Sequence, residues 1–461
     1  VTHSGWVHEG PIRSSLMDAA TQPRPLPPRE GGQESALTPN ARLAGAIELL
    51  EAIAAAPRKP ADAVANDFFR ARRFIGSSDR KAISEQGWAV LRHQRRLAWW
   101  VERAQGEATP RLMIGAMAVL NGDPAGKVAA RYSGGRYAPA ELLPEEFEIL
   151  RRLEGHNLGH PAMPDAVRLE IPDWVLPLFK ARFGAETERE VGGLLAPAPL
   201  DLRVNLLKGD RAAALVALAA EGIEARETPL SPWGLRIEGR KPVVTGDAFR
   251  AGLVEIQDEG SQIVALLASA KPGMRVIDYC AGAGGKTLAL AMTMDNRGQI
   301  TACDTSAPRL TSAVRRLRRA GVHNVEQHQL VDGDKWAKRR RESADRVLVD
   351  APCTGTGTWR RNPDARLRLT ERDLAELVVK QAAILQDASR LVRKGGWLIY
   401  ATCSLLPPEN EDQVKAFLAA NPDFTPLDPG VEGVRMRDGQ LRLSPARDGT
   451  DGFFAAVLER R

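Results

Sequence analysis

Two short segments in the C-terminal half each place a cysteine just after an apolar run and among small polar residues. One is Asp350-Ala351-Pro352-Cys353-Thr354-Gly355-Thr356-Gly357; the other is Tyr400-Ala401-Thr402-Cys403-Ser404. A lone buried cysteine is more often an inert small hydrophobe. Two of them, each closing a strand and each set in a polar turn, point instead to thiol chemistry. A thiolate can add to carbon 6 of a cytosine and so make carbon 5 able to attack a methyl sulfonium. That addition needs an acid for the charge growing at N3, a part open to Asp350 if burial keeps it protonated. Afterwards the carbon 5 proton must leave and the thiol must be eliminated. One thiol attacking and a second assisting release is a coherent division of labour, and the residue types alone do not say which does which.

A second chemical signal is the run Asp278-Tyr279-Cys280-Ala281-Gly282-Ala283-Gly284-Gly285-Lys286-Thr287, which leaves one strand and opens a helix. Glycines let backbone approach a ligand, and a helix N-terminus attracts negative charge. An ATP-type phosphate loop needs glycine where Cys280 stands, and a dinucleotide fingerprint needs glycine where Thr287 stands. The pattern that remains is a nucleoside–sulfonium cofactor turn of the S-adenosylmethionine (SAM) type. Its partner is an acidic residue ending the next strand, Asp304, whose carboxylate can accept both ribose hydroxyls. Asp332, just past the third strand, is expected on the adenine side, and Arg309, at the head of a helix, is a further candidate contact.

The elements that must hold these residues alternate. Strands are predicted at 276–279, 300–303, 325–330, 347–349 and 397–400, with helices starting near Thr287, Arg309, Thr370 and Glu409. That rhythm specifies a doubly wound parallel sheet, with ligands beyond the strand ends where strand order reverses. Thr370 with Asp373 reads as a capping box for a long helix expected to end at Gly395-Gly396, and 453–458 as a final strand closing one side.

Upstream, 37–160 has helical periodicity, with Ile47, Leu49, Leu50 and Ile53 followed by Ile83, Trp88, Leu91 and Leu97; Ser78-Asp79 reads as a helix start. Residues 165–257 mix short strands with a helix over 212–221, as in a small α+β module. Within it Arg203 and Asn205 fall on the face of a strand opposite its apolar residues, which on the plainest reading is solvated. Residues 1–36, which include Pro23, Pro25, Pro27 and Pro28, are expected to be a flexible lead-in, with Met17 an alternative start.

The 461 residues carry 64 Lys+Arg against 58 Asp+Glu, a net charge of +6, with 43% hydrophobic and 26% charged residues. This is a folded multidomain chain with a mild bias toward polyanions. Its cations cluster at Arg315-Arg316 with Arg318-Arg319, at 338–341 and at Arg360-Arg361. No membrane span or signal peptide is evident, so a cytoplasmic, monomeric protein is the default expectation. The four cysteines include no Cys-x-x-Cys pair, and His156 and His160 lie among loop-forming glycines, so no metal is expected.

Together these motifs resemble the RsmB/Nop/Sun family of RNA 5-methylcytosine methyltransferases. The resemblance rests on Asp258-Glu259-Gly260-Ser261-Gln262, the 280–287 turn, 350–357, Thr402-Cys403-Ser404 with Glu409-Asn410-Glu411, and Asp451-Gly452-Phe453-Phe454. It departs mildly at Ala283, where proline is frequent, and at Thr354, where serine is commoner. It implies that Cys403 is the nucleophile and Cys353 assists release. Cys280, Ala281, Gly282, Ala283, Gly284, Gly285, Lys286, Asp304, Asp332 and Asp350 become SAM contacts, with Lys286 and Asp350 also at the base. It further implies a Rossmann-like SAM methyltransferase domain over 258–461. An RNA-recognition-like module precedes that domain, and the helical domain ahead of the module is NusB-like. RNA is the implied partner, small-subunit rRNA before tRNA. A catalytically silent RNA-binding assembly factor is the alternative from another class; the intact pair of thiols speaks against it.

Overall fold

The structure is a computed structural model that describes residues 37–238 and 241–461. The expected lead-in over 1–36 lies outside the described residues.

The helical segment runs from Pro39–Ala54 through Ala61–Ala71, Ser77–Arg92, Gln94–Arg103 and Pro110–Leu120 to Pro144–Arg152. Thr38 caps the first helix by accepting from the Ala41 N–H at 3.2 Å, and Pro39 stands where its missing N–H costs nothing. The apolar stripe closes inward: Leu49, Ile83 and Leu97 are inaccessible to solvent. Gly76, rather than Ser78, caps the third helix, and Asp79 is buried, accepting from the Leu37 N–H and, at 2.8 Å, from Arg42 Nε. The spacing that suggested a cap marks a buried anchor for the first helix.

The middle segment is a four-stranded antiparallel sheet of β1 (Leu200–Val204), β2 (Arg226–Glu227), β3 (Gly234–Ile237) and β4 (Val254–Ile256), in the order β2-β3-β1-β4. The helix Arg211–Ala220 packs Ala214 and Leu218 on Leu202, Val204 and Leu235. The opposite face of β1 is not solvated, contrary to expectation. Arg203 and Asn205 are buried because the C-terminal domain packs there: Arg203 Nη1 donates to Gly285 O at 2.8 Å, and Asn205 Nδ2 to Ala320 O at 2.9 Å.

The C-terminal sheet contains β5 (Arg275–Asp278), β6 (Gln299–Asp304), β7 (Val325–Gln329), β8 (Ala344–Asp350), β9 (Val392–Thr402), β10 (Phe424–Pro426), β11 (Met436–Arg437), β12 (Gln440–Leu443) and β13 (Phe453–Arg460). Its order is β11-β12-β13-β9-β8-β5-β6-β7, and β10 and β12 share one edge of β13. Strands β9, β8, β5, β6 and β7 are parallel, and β13 runs antiparallel against β9. The chain winds from β5 out to β7 and returns to β8 on the other side of β5. The order therefore reverses between β5 and β8, where a ligand crevice is expected.

Two boundaries differ from expectation. The helix capped by Thr370 and Asp373 is Glu371–Ser389 and stops six residues before Gly395, because pairing to β8 resumes at Val392. Gly395-Gly396 sit instead in an irregularity of β9, between the Val392–Ala344 and Trp397–Arg346 pairs. Glu409 ends a short 3₁₀ turn, Pro407–Glu409, and the helix proper is Glu411–Ala420. Among the described residues no helix is long and apolar enough to cross a membrane.

Candidate active site

The glycine turn is shaped by backbone that most side chains resist. Gly282 and Gly284 have φ of +54° and +80°, the left-handed region that glycine enters without a Cβ clash. Nothing lies within 4 Å of where a Cβ on Gly282 would stand, whereas one on Gly284 would stand 3.1 Å from the Ala313 Cβ. The turn is braced from behind, since Arg316 Nη1 donates to Ala283 O at 2.6 Å and Arg203 holds Gly285 O.

A crevice of about 370 Å³ opens at the reversal point. Of the residues expected to hold a cofactor, Cys280, Ala281, Gly282, Ala283, Gly285, Lys286, Asp304, Arg309 and Asp350 line it. Gly284 stands behind the turn, and Asp332 is exposed in the bend beyond β7, outside the lining; Leu330 occupies that wall instead. Sequence reading missed Gln257, and Lys380 and Ile384, which face the crevice from one side of Glu371–Ser389; Ser261, quoted within the 258–262 motif, lines it too. The four-residue spacing of Lys380 and Ile384 was their only trace.

Asp304 Oδ2 accepts from Gly282 N–H at 2.9 Å and Oδ1 from Ser306 N–H at 2.8 Å, so the carboxylate ties the turn to the end of β6. Asp278 is buried; its Oδ2 accepts from Thr287 Oγ1 at 2.7 Å, while its Oδ1 has no protein partner. Burial, aided by the charge of Asp350, pushes the Asp278 carboxyl up to about 7. Asp350 differs from expectation: its side chain is one-third exposed, and Lys286 Nζ donates to its Oδ2 at 2.6 Å. Burial works against the charge on Lys286, but Asp350, joined by Asp278, holds the ammonium above its ordinary value. An ion pair therefore stands where the acid role would have required a buried, protonated carboxyl.

Beyond the pair, β8 and β9 bring their two thiols into contact, with Cys353 Sγ 3.5 Å from Cys403 Sγ. The hydrogen bond to Cys403, followed by burial, pushes the Cys353 thiol well above its usual range. Cys280 is also pushed up, by burial and then by the charges of Asp278 and Asp350, and Cys303 is fully buried within β6. The turns are locked through backbone: Gly357 N–H donates to Cys403 O at 2.9 Å, and a Cβ on Gly357 would fall 2.2 Å from Gly452 O.

The Arg360-Arg361 cluster does not face solvent. Arg360 Nε and Arg361 Nε each donate to Asp451 at 2.5 Å, and Arg361 Nη2 donates to Asp258 at 2.8 Å. Burial, then the neighbouring Asp258, pushes the Asp451 carboxyl up to about 6. This quartet joins the start of the helix Glu259–Leu267 to the entry of β13, and Arg361 reaches on to Pro199 O at 3.2 Å. In the 315–319 cluster, Arg316 and Arg319 turn inward to Glu255, while Arg315 and Arg318 are exposed. His156 and His160 lie in a loop against the rings of Trp100 and Trp99, with centroids 4.7 and 5.2 Å apart.

Comparison with known proteins decides the family. The model for 16S rRNA methyltransferase RsmB/F matches residues 264–459, and the ferredoxin-like domain model of RsmF/B-like methyltransferases matches 171–244. A probable ribosomal RNA small subunit methyltransferase B of Synechocystis is 32% identical over 414 residues, covering 84% of this chain and 92% of its own length. The chain belongs to the RsmB/F methyltransferase family. A relative of the same description from Bacillus subtilis is 35% identical over 328 residues, covering 68% of this chain and 73% of its own. The crystal structure of PH0851 superposes with a TM-score of 0.74 at 27% identity, covering 92% of this chain and all of that one.

The cofactor of this family is SAM, and the crevice suits it. Its size lies within the usual range for small-ligand sites. Three carboxylates, one with an unpartnered buried oxygen, meet a cation and hydroxyls, and Leu330, Pro352 and Ile384 offer apolar walls.

Proposed function

We propose that the protein transfers a methyl group to carbon 5 of a cytosine in small-subunit ribosomal RNA, with Cys403 as nucleophile and Cys353 assisting release. The observation that carries this reading is the 3.5 Å contact between the two sulfurs beside the Lys286–Asp350 pair. The hydrogen bond to Cys403 and burial push the Cys353 thiol up, and either sulfur can be the donor across the contact. A sulfur that accepts a hydrogen bond is the one better able to carry the thiolate. The contact runs in either direction, and the choice of Cys403 rests on the family resemblance.

SAM supplies the electrophilic methyl group. Cys403 Sγ adds to carbon 6 of the ring, and the Lys286–Asp350 pair balances the charge that develops at N3. Carbon 5, now electron-rich, takes the methyl group. Loss of the carbon 5 proton to a base and departure of the Cys403 thiolate restore the aromatic ring, and the Cys353 S–H is placed to protonate the departing sulfur. Asp304 would hold the ribose hydroxyls of the cofactor, and Asp278, through its open oxygen, would offer an acceptor to its cationic end.

For the whole chain the reading divides residues 37–160, 165–257 and 258–461 into a helical RNA-docking domain, an RNA-recognition-like module and the catalytic domain. Docking is supported by a groove of about 1030 Å³, lined by Arg70, Arg73, Arg80, Lys81 and Lys241 with Trp88. Cations interleaved with an aromatic ring suit a phosphate backbone and its bases. The names of the relatives favour small-subunit rRNA over tRNA.

The test is transfer from methyl-labelled SAM to a 16S rRNA transcript, to small ribosomal subunits and to tRNA, followed by digestion to nucleosides. Label should appear as 5-methylcytidine from an rRNA substrate. Label in another nucleoside, or in tRNA alone, overturns the reading.

A further inference from the structure

Glu409 has no accessible surface, and its carboxylate is held entirely by neutral donors. Oε1 accepts from the Thr354 N–H at 2.8 Å and from Gln381 Nε2 at 2.9 Å. Oε2 accepts from Thr354 Oγ1 at 2.5 Å and from Ser404 Oγ. Thr354 follows Cys353, and Ser404 follows Cys403. Gln381 also donates to Pro352 O at 2.9 Å, and Tyr400 Oη donates to the Glu409 carbonyl at 2.7 Å. Among the described residues no ion pair involves Glu409. Removing the carboxylate leaves the Thr354 N–H unsatisfied and takes the shared acceptor from both turns, while Gln381 keeps Pro352 O and the Thr354 and Ser404 hydroxyls keep each other at 3.2 Å.

We propose that Glu409 is a positioning residue that sets the contact between Cys353 and Cys403 by bridging their two turns, a role that rests on the reading of these thiols as nucleophile and release group. The bridge acts on geometry: Oε1 fixes the backbone after Cys353, and Oε2 fixes the hydroxyls that flank both cysteines. The negative charge of Glu409 also adds to the forces that keep the Cys353 thiol protonated. The carboxylate is outside the cofactor crevice, so its work is separable from SAM binding.

The test uses the full chain and reads geometry without RNA. Diamide oxidises two neighbouring thiols to a disulfide and is itself reduced to the hydrazine; peptide mass mapping then identifies the Cys353–Cys403 link. Glu409→Ala should slow that link, and single-turnover methyl transfer to rRNA should fall by about 10- to 100-fold, as expected for misplacement on the ångström scale. SAM affinity should stay within about threefold, since no crevice contact is touched. Glu409→Gln should restore most of both rates, because its carbonyl keeps the two N–H donors and the hydroxyls can rotate to meet its amide. A general packing defect would instead weaken SAM binding along with transfer and would not be rescued by glutamine. If Glu409→Ala does not fold, Thr354→Val combined with Ser404→Ala removes the Oε2 half of the bridge and should slow both rates in the same direction. Wild-type rates of disulfide formation and transfer in whichever of these variants folds overturn the proposal. Failure of the wild-type protein to methylate RNA counts against the proposed function instead, and the disulfide rates still decide whether Glu409 sets the contact.

Discussion

The cofactor end and the thiol end of this site lie at the same edge of one sheet, yet they handle polar atoms in opposite ways. At the cofactor end, Asp278 keeps one buried oxygen without a protein partner, Gly282 faces open space, and Asp350 is one-third exposed. At the thiol end, both oxygens of Glu409 are fully engaged, and Thr402, Ser404 and Asn410 bond to one another. A ligand site must leave hydrogen-bonding capacity for its ligand, whereas the thiol end spends both Glu409 oxygens internally and leaves Gln381 Oε1 open. Beneath both lies the Asp258–Asp451–Arg360–Arg361 quartet, which belongs to neither chemistry.

Breaking that shared floor should have the largest effect. Arg360→Met leaves a buried carboxylate short of its partner and should cost about 3–5 kcal/mol of stability in urea unfolding. A loss below about 1 kcal/mol would place the quartet among the weak surface pairs. Next is Lys286→Met, which removes the cation beside Asp350. Transfer should fall by about 100- to 1000-fold in single turnover, the scale of losing one preorganised electrostatic contact, with Cys353–Cys403 disulfide formation unchanged. Equal losses in both would mean that the two ends are not separable. Asp304→Ala should weaken SAM binding by about 10- to 30-fold in calorimetry, the worth of one or two hydrogen bonds to a charged group, again without touching the disulfide rate.

A pH slope stands apart from this order, since the shift behind it is comparable in size to the first effect. The Asp278 carboxyl sits at about 7 in the folded chain against an ordinary 3.8, so between those values the native state holds a proton that the unfolded chain has released. Its contribution is fully present below about pH 4 and is lost as pH rises through about 7. Asp278→Asn should remove that decline from a melting-temperature series across this window. Parallel curves for the two proteins would contradict it.

Much of the catalytic domain was legible because its signals are local. A strand that ends in Asp-Ala-Pro-Cys, a glycine turn and an acid after the next strand are each written in consecutive residues, and sheet order follows from handedness. What escaped depended on packing between distant segments. Arg203 looked solvated because alternation identifies the opposite face of a strand but not what lies on it; here the glycine turn lies on it. Arg360 and Arg361 looked like one more cation cluster, since aspartates about 90 and 100 residues away in sequence are invisible to a local reading. An acid role for Asp350 was conditional on burial, and the lysine that pairs with it lies 64 residues upstream. Glu409 was visible as part of a motif, yet only the fold reveals that it touches both cysteine turns.

The division of labour between the thiols is tested most directly by incubating Cys353→Ala, Cys403→Ala and the double variant with rRNA and SAM, then running denaturing gels. Cys353→Ala should accumulate a covalent protein–RNA adduct, because Cys403 still adds but is released slowly. Cys403→Ala and the double variant should form none and transfer no methyl group. An adduct or methyl transfer with Cys403→Ala, or free turnover without adduct in Cys353→Ala, would contradict the assignment of the two sulfurs.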